Sequence, residues 1–329
     1  MSTMSDDNYR SYADAAIAAL QAWYDPASAL YTGVTWWHSA ICLDAVIDYT
    51  TRTGNTSYAY IISAIFEQYK DTKFLQNSYD DMAWWALAWV NAYDLTGETD
   101  YLEMAKTIFG AMTGGWDNVC GGGVWWNFDR NYKNAIPNEL FLALATRLFQ
   151  RTPTEQSYLM WALREWRWFQ QSGMINSSHL INDGLNNCQN NGGPTWTYNQ
   201  GVILGGLADL YRITGEDSYL NQATAIADAV LNLLVNSEGI LIEPCEATGC
   251  DSNGAQFKGI FMRNLHYLYQ TYPKDSYRAF IVRNVDSLWS HARNEQNQIG
   301  VHWSGPFDSA DASRQSAALH AINAALSFR

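Results

Sequence analysis

Basic residues are scarce in this chain: 20 Lys and Arg stand against 33 Asp and Glu, a net charge of −13 over 329 residues. Binding a phosphate backbone needs clustered cations, so nucleic acid is excluded as a partner. Anionic membrane surfaces and polyanionic polymers are disfavoured on the same ground. No apolar run approaches the length of a membrane span. No Pro/Gly/Ser linker, charge block or low-complexity tract marks a boundary, and one domain over residues 1–329 is expected. The five cysteines (Cys42, Cys120, Cys188, Cys245, Cys250) form no CxxC pair, which argues against zinc. GxGxxG, the phosphate-binding GxxxxGKS/T, HExxH and GxSxG are all missing. Six histidines are scattered with none paired at i, i+4 spacing, so each reads as an ordinary core or surface residue. Neither cofactor nor metal is expected, and the protein is read as a monomer.

The first residues (MSTMSDDNYR) carry no signal-peptide core and the last (INAALSFR) no lipid-anchor tail. Cys245 and Cys250 are close enough for a small loop bridge, and Asn55 and Asn176 open N-glycosylation triplets. These features lean toward an extracellular protein whose secretion signal has been removed.

What the sequence does have is aromatic residues, 14%, beside only 16% charged ones. That is the balance of a well-packed globule with many rings, suited to a neutral polysaccharide. It also has an internal repeat. Polar turns ending in tyrosine recur: TGNTSY at Tyr58, TGETDY at Tyr101, TPTEQSY at Tyr158, TGEDSY at Tyr219 and YPKDSY at Tyr277, with a looser DDNY at Tyr9. Each offers Thr, Asp, Ser or Glu as an N-cap and acidic first turn for the helix that follows. That helix is amphipathic: Tyr101, Met104, Ala105, Ile108, Phe109 and Met112 fall on one face. Before each turn lies a helix apolar almost all round, as in Met82 to Val90, Leu140 to Phe149 and Val202 to Leu210, with further candidates at Ser39 to Tyr49, Phe257 to Tyr269 and Ala312 to Leu326. Six outer and six inner helices in alternation predict an all-α fold, an (α/α)6 toroid. Long links (25–35, 114–137, 173–195, 236–256 and 294–310) lead into inner-helix N-termini, so the working face is expected there.

The constellation with chemistry in it is YDDMAWWALAWVNAY, Tyr79 to Tyr93. Asp80 and Asp81 open an inner helix, with Trp84 and Trp85 each four residues on, placed to cover one carboxylate apiece. Tryptophan cover raises a carboxyl pKa while helix-start amides lower it, the opposed pushes an acid and a nucleophile need. The competing reading is a capping box, Ser78-x-x-Asp81. The long loops add Trp116, Trp125, Trp126, Trp196 and Trp303, with Asn127, Asn134, Asn138, Asp183, Asn187 and Tyr198, a set suited to sugar rings and hydroxyls. Gly121, Gly122 and Gly123 open no helix and read as a loop passing under something bulky.

From YDDMAWWALAWVNAY through CGGGVWW (Cys120 to Trp126), YKNAIPNE (Tyr132 to Glu139), Asp183-Gly184, WTYNQG (Trp196 to Gly201) and FKGIFMR (Phe257 to Arg263), the chain resembles glycoside hydrolase family 76, the endo-α-1,6-mannanases. The resemblance implies retaining cleavage of α-1,6-mannan or mannooligosaccharides, with Asp80 as nucleophile and Asp81 as acid/base. The residues expected to contact the substrate are Trp125, Trp126, Asn134, Asp183, Tyr198, Asn199 and Lys258. The cysteines look like the family's fungal branch, which implies bridges Cys120–Cys188 and Cys245–Cys250 and a free buried Cys42. The family also holds cell-wall enzymes that transfer anchored mannoproteins to glucan. A transglycosylase, a non-catalytic carbohydrate-binding toroid, and a lyase or epimerase therefore stand as the alternatives.

Overall fold

The computed structural model describes residues 7–328. Twelve α-helices account for nearly all regular structure among them: α1 (Asp7–Leu20), α2 (Trp36–Thr53), α3 (Tyr60–Tyr69), α4 (Tyr79–Thr96), α5 (Thr99–Thr113), α6 (Ala135–Arg151), α7 (Gln156–Gln171), α8 (Thr197–Thr214), α9 (Asp217–Leu233), α10 (Ser252–Thr271), α11 (Asp275–His291) and α12 (Ala312–Ala325). Two small hairpins interrupt the links, β1 (Tyr24–Asp25) with β2 (Leu30–Tyr31) and β3 (Leu185–Asn186) with β4 (Gln189–Asn190). Asp6, in the opening DDNY turn, lies outside the described residues. Among the described residues no helix is long and apolar enough to cross a membrane.

The chain forms two compact units, Tyr69–Val230 and Met1–Gln68 with Leu231–Arg329. In the first, α6 packs between α4 and α8, with α5 and α7 against it. Every residue of α6 from Ala135 to Leu148 is buried, as an all-round apolar sequence requires. By contrast α5 buries one stripe, Tyr101, Leu102, Ala105, Ile108, Phe109 and Met112. In the second unit α12 is buried along its whole length and packs on α1, α2, α10 and α11. Each unit thus has its own alternation of wholly buried and half-wet helices.

The recurrent turns do part of the job their composition predicts: Asp100, Asp217 and Asp275 stand in the first turns of α5, α9 and α11, but the expected side-chain caps are not made. Glu98, Glu155 and Lys274 precede α5, α7 and α11, and none makes a side-chain cap bond. In three of the turns the Thr-Gly pair instead ends the buried helix before it. Gly54, Gly97 and Gly215 take φ of +70°, +76° and +73° and return their N–H to Thr50, Tyr93 and Tyr211 carbonyls. The preceding Thr53, Thr96 and Thr214 hydroxyls accept from the N–H two residues on, at 3.1, 3.1 and 3.2 Å. Outer helices can lack a cap because their apolar stripe already fixes them.

A second repeat shapes the long links. Asn176, Asn236 and Asn294 each start a turn whose backbone N–H bonds the carbonyl four residues on (Leu180, Ile240, Gln298), with a left-handed residue (His179, Gly239, Asn297) at its tip. In each, the strand-like exit donates to a buried amide side chain: Ile181 to Gln200, Leu241 to Asn284 and Ile299 to Gln315. These turns steer the chain toward the N-termini of α8, α10 and α12.

Candidate active site

Asp80 and Asp81 lie in the first turn of α4. Ser78 sits at the N-cap with extended backbone but makes no side-chain cap bond, so the capping box is not what this segment uses. The preceding residues pair instead with the α5–α6 loop. Tyr79 N–H donates to the Trp126 carbonyl at 2.9 Å, Phe128 N–H to the Asn77 carbonyl at 3.0 Å, and Ser78 bridges Asn127 antiparallel. That pairing brings the Trp126 indole Nε1–H to Asp80 Oδ2 at 3.1 Å. Asp80 Oδ1 is buried with no hydrogen-bond partner. The indole bonded to the acid is therefore a loop residue, where helix spacing pointed to Trp84 and Trp85. Trp85 packs into the core against Phe74 and Trp89, at 5.1 and 6.0 Å, and Trp84 stacks toward Tyr198 at 6.4 Å.

Burial and the neighbouring Asp81 carboxyl push Asp80 up to about 8, against the Trp126 donor, which favours its anion. Burial alone raises Asp81 to about 6. Two carboxyls this close share one proton across neutral pH, because the second charge must form beside the first in a poorly solvated site.

The loop that carries Trp126 is fixed from below. The Lys133 ammonium, buried, donates to Asp117 Oδ1 at 2.7 Å and to the Val119 and Gly122 carbonyls at 2.6 and 2.7 Å. It also lies 4.8 Å from the Trp125 ring. Trp125 in turn gives its N–H to Asp117 Oδ2 at 2.7 Å, so this expected sugar contact is part of the loop's own frame. Gly122 and Gly123 take φ of +151° and +88° against Trp168, where a Cβ would collide with the ring. The bulky neighbour expected over this run is thus an outer-helix indole.

On the other side of Trp126 its backbone N–H bonds the Tyr132 carbonyl at 2.8 Å. The Tyr132 hydroxyl donates to Asp183 Oδ2 at 2.6 Å and accepts from Asn191 Nδ2 at 3.0 Å. Gly184 bridges Asn134, and a side chain there would overlap Tyr132 and Asn134. The amide of Asn199, fully buried, lies beside Asp183, whose pKa burial raises against its Tyr132 and Asn199 donors. Asn134 caps no helix amide, and its Oδ1 is buried without a partner. Asp80, Asp81, Trp126, Asn134, Asp183, Tyr198 and Asn199 are thus gathered at the N-terminal ends of α4, α6 and α8.

Other expected contacts are engaged within the fold or stand at its surface. Lys258 is fully buried in the other unit, and its three N–H groups are taken by Glu246 Oε1 (2.6 Å), the Val301 carbonyl (2.6 Å) and the Leu241 carbonyl (3.2 Å). It has no donor left for a sugar. Trp303, 1% exposed, lies under it. Trp116 packs among Phe141, Trp161 and Trp168. Asn138 clamps Val124, its amide oxygen accepting from the Val124 N–H and its amide nitrogen donating to the Val124 carbonyl. Asn187 is exposed at the tip of the β3–β4 hairpin, and Trp196 is half-buried just before α8. Cys120 bridges Cys188 and Cys245 bridges Cys250, leaving Cys42 free and buried. The sequon amides of Asn55 and Asn176 are engaged, with Tyr49 Oη and Asn182 Oδ1. Residue-type reasoning overlooked Tyr132, Lys133 and Phe128, although the first two stand in the YKNAIPNE segment directly before a buried helix.

Comparison with known proteins then fixes the lineage. The model of Glycosyl hydrolase family 76 matches residues 8–329. The chain belongs to that family. Mannan endo-1,6-alpha-mannosidase DCW1 of Candida albicans is 29% identical over 259 residues, covering 70% of this chain and 57% of that protein. A Schizosaccharomyces pombe relative is 30% identical over 295 residues, covering 82% of this chain and 66% of its own length. The chain therefore spans less than two thirds of these curated relatives. Among solved structures, the GH76A alpha-1,6-mannanase of Salegentibacter sp. HEL1_6 superposes with a TM-score of 0.88 at 23% identity, over 98% of this chain and 100% of that one. The same enzyme with two consecutive aspartates replaced is inactive and was solved with an alpha-1,6-mannotetrose. The (α/α)6 toroid is accordingly the fold of this chain.

Proposed function

We propose that this family 76 member is an endo-α-1,6-mannosidase working through a covalent mannosyl ester on Asp80, with Asp81 as acid and then base. The observation that carries the reading is the asymmetry of the Asp80 carboxylate. One oxygen is held by Trp126 while the other, Oδ1, is buried and unpartnered, which suits an atom that must attack carbon. Asp80–Asp81 is also the single consecutive aspartate pair within the matched residues 8–329, and such a pair was replaced in the inactive Salegentibacter mannanase.

Burial and the Asp81 charge together place the higher pKa on Asp80, the reverse of what a nucleophile needs. The leaving oxygen of a bound sugar resolves this, since it accepts from Asp81 and draws the shared proton there. Carboxyls on adjacent residues, whose Cα atoms are about 3.8 Å apart, fit the ~5–5.5 Å separation of retaining enzymes better than the ~6.5–9.5 Å of inverting ones. Attack by Asp80 forms the C1–Oδ1 bond as the glycosidic bond breaks, and the proton leaves Asp81 with the departing sugar. The ester removes the Asp80 charge, so the Asp81 pKa falls and its carboxylate takes a proton from water, or from a sugar hydroxyl if the acceptor is a glycan, as that oxygen bonds C1 and the C1–Oδ1 bond breaks to free the Asp80 carboxylate. Hydrolysis and transfer thus share one intermediate. The two disulfides fit an oxidising, extracellular setting.

Asp80→Asn and Asp81→Asn should each cut turnover of linear α-1,6-mannan by about 10⁴-fold or more. Both carboxyl pKa values are raised in the fold, so the native state binds more protons than the unfolded chain between about pH 4 and the raised values. Stability therefore falls as pH rises through that window, and Asp80→Asn should stabilise the protein at neutral pH by about 1–3 kcal/mol. Proton NMR should find the α-anomer released first. With azide, Asp81→Ala should yield α-mannosyl azide and Asp80→Ala the β-anomer; swapped anomers would exchange the two roles. An initial β-product from the native enzyme would end the retaining scheme.

A further inference from the structure

Phe128 is 52% exposed, a large apolar side chain left half in water two residues from Trp126, which is itself 38% exposed. The backbone explains why both point outward. Residues 126 to 128 run antiparallel to 77–79, with Trp126 accepting from Tyr79, Phe128 donating to Asn77, and Asn127 bridging Ser78. The Asn127 carbonyl accepts from Arg130 N–H at 3.2 Å, which closes a tight turn, so Trp126 is displayed on one side of Asn127 by the pairing and Phe128 on the other by the turn. Asn127, the residue between them, is 7% exposed and turned inward.

The Phe128 ring is also fixed. It meets the Tyr79 ring edge-on at 5.0 Å. Tyr79 is buried and pressed under Gly115, where a Cβ would lie 2.7 Å from its ring. A rigid exposed ring loses little entropy when another flat surface settles on it. About half of the Phe128 side chain stays open to solvent beside the Tyr79 contact. Exposed Asn77 and Asp129 flank it with hydroxyl-binding groups.

We infer that Phe128 is a stacking platform for a mannosyl unit of the same chain that is cut at Asp80, lying beyond the sugar that Trp126 and the two acids engage. The occupant follows from continuity: Trp126 bonds the Asp80 carboxylate and Phe128 packs on Tyr79, the residue directly before Asp80, so an extended substrate leaving the acids in this direction passes over it. A neutral pyranose fits an aromatic face with polar neighbours, whereas a charged polymer does not. Phe128 would thus set the preference for longer oligosaccharides without touching the reacting bond.

This inference rests on the mannosidase reading, and its test separates the two. Native protein, Phe128→Ala and Phe128→Trp are compared on α-1,6-mannooligosaccharides from disaccharide to hexasaccharide. Phe128→Ala should lose about fivefold to tenfold in kcat/KM on the longest substrates and less than about twofold on the shortest one cleaved, with Phe128→Trp restoring the difference. Equal loss at every length, or none at any, overturns the platform. Calorimetric titration of the same sugars into Asp80→Asn protein, with and without Phe128→Ala, reads the subsite without turnover. If the native protein cleaves none of these sugars the mannosidase reading fails, while the titration still decides Phe128: a length-dependent loss of affinity supports it and equal affinities overturn it.

Discussion

Two buried lysines organise two loops, one in each compact unit, with nearly the same chemistry. Lys133 is held by Asp117 and two carbonyls beside Trp125, and Lys258 by Glu246 and two carbonyls beside Trp303. Each loop is tied by a disulfide, Cys120–Cys188 or Cys245–Cys250. Desolvation lowers the pKa of both ammoniums, and a paired carboxylate holds each charged. What differs is the surface each loop offers. The Lys133 loop presents Trp126 and Phe128, the first bonded to an acid of α4, while the Lys258 loop keeps its Trp303 inside. A buried cation is thus a frame, and the residues around it decide whether the frame serves a site.

Replacing either lysine tests this with the largest effect. Lys133→Met and Lys258→Met each take the buried donor away from two carbonyls and a half-buried carboxylate and should destabilise by about 2–4 kcal/mol, measured by urea unfolding. Lys133→Met should also lower kcat in the fraction still folded, because Trp126 loses its seat. Equal loss of kcat in both variants would break the distinction and return Lys258 to the substrate site.

The disulfides should differ by less. Cys120–Cys188 spans 68 residues and Cys245–Cys250 only 5, so loop-closure entropy gives about 4 kcal/mol for the first and about 2 for the second. Paired Ser variants of each bridge, compared by thermal unfolding, check the ordering. Losing the longer bridge should also raise KM, since it joins the loop of Trp126 to the hairpin next to Asp183.

Trp126→Phe is the finest probe. The native pH profile of kcat/KM should be a bell with limbs near about 6 and about 8, the values for Asp81 and Asp80. The indole N–H favours the Asp80 anion, so its removal should move the alkaline limb upward by up to about one unit, near 1.4 kcal/mol. A limb that stays put would mean the bond at 3.1 Å does not tune the acid.

The sequence by itself determined the fold class, because helix periodicity is local: a stripe of apolar residues must face a core, and an all-round apolar helix must be inside one. It also determined the acid pair, since adjacency in the chain is adjacency in space, and the motifs that match the family model. The repeated Thr-Gly turns were legible as turns, but their work as C-caps depends on a positive φ and on which helix end is near. Only the tertiary structure decided which tryptophan serves Asp80. Helix spacing offered Trp84 and Trp85, yet the core claimed Trp85 and a strand-like pairing 46 residues away supplied Trp126. The fates of Lys133 and Lys258, and the exposure of Phe128, were settled the same way. A buried charge and a displayed ring are defined by what packs around them, and that neighbourhood comes from distant segments that no local pattern encodes.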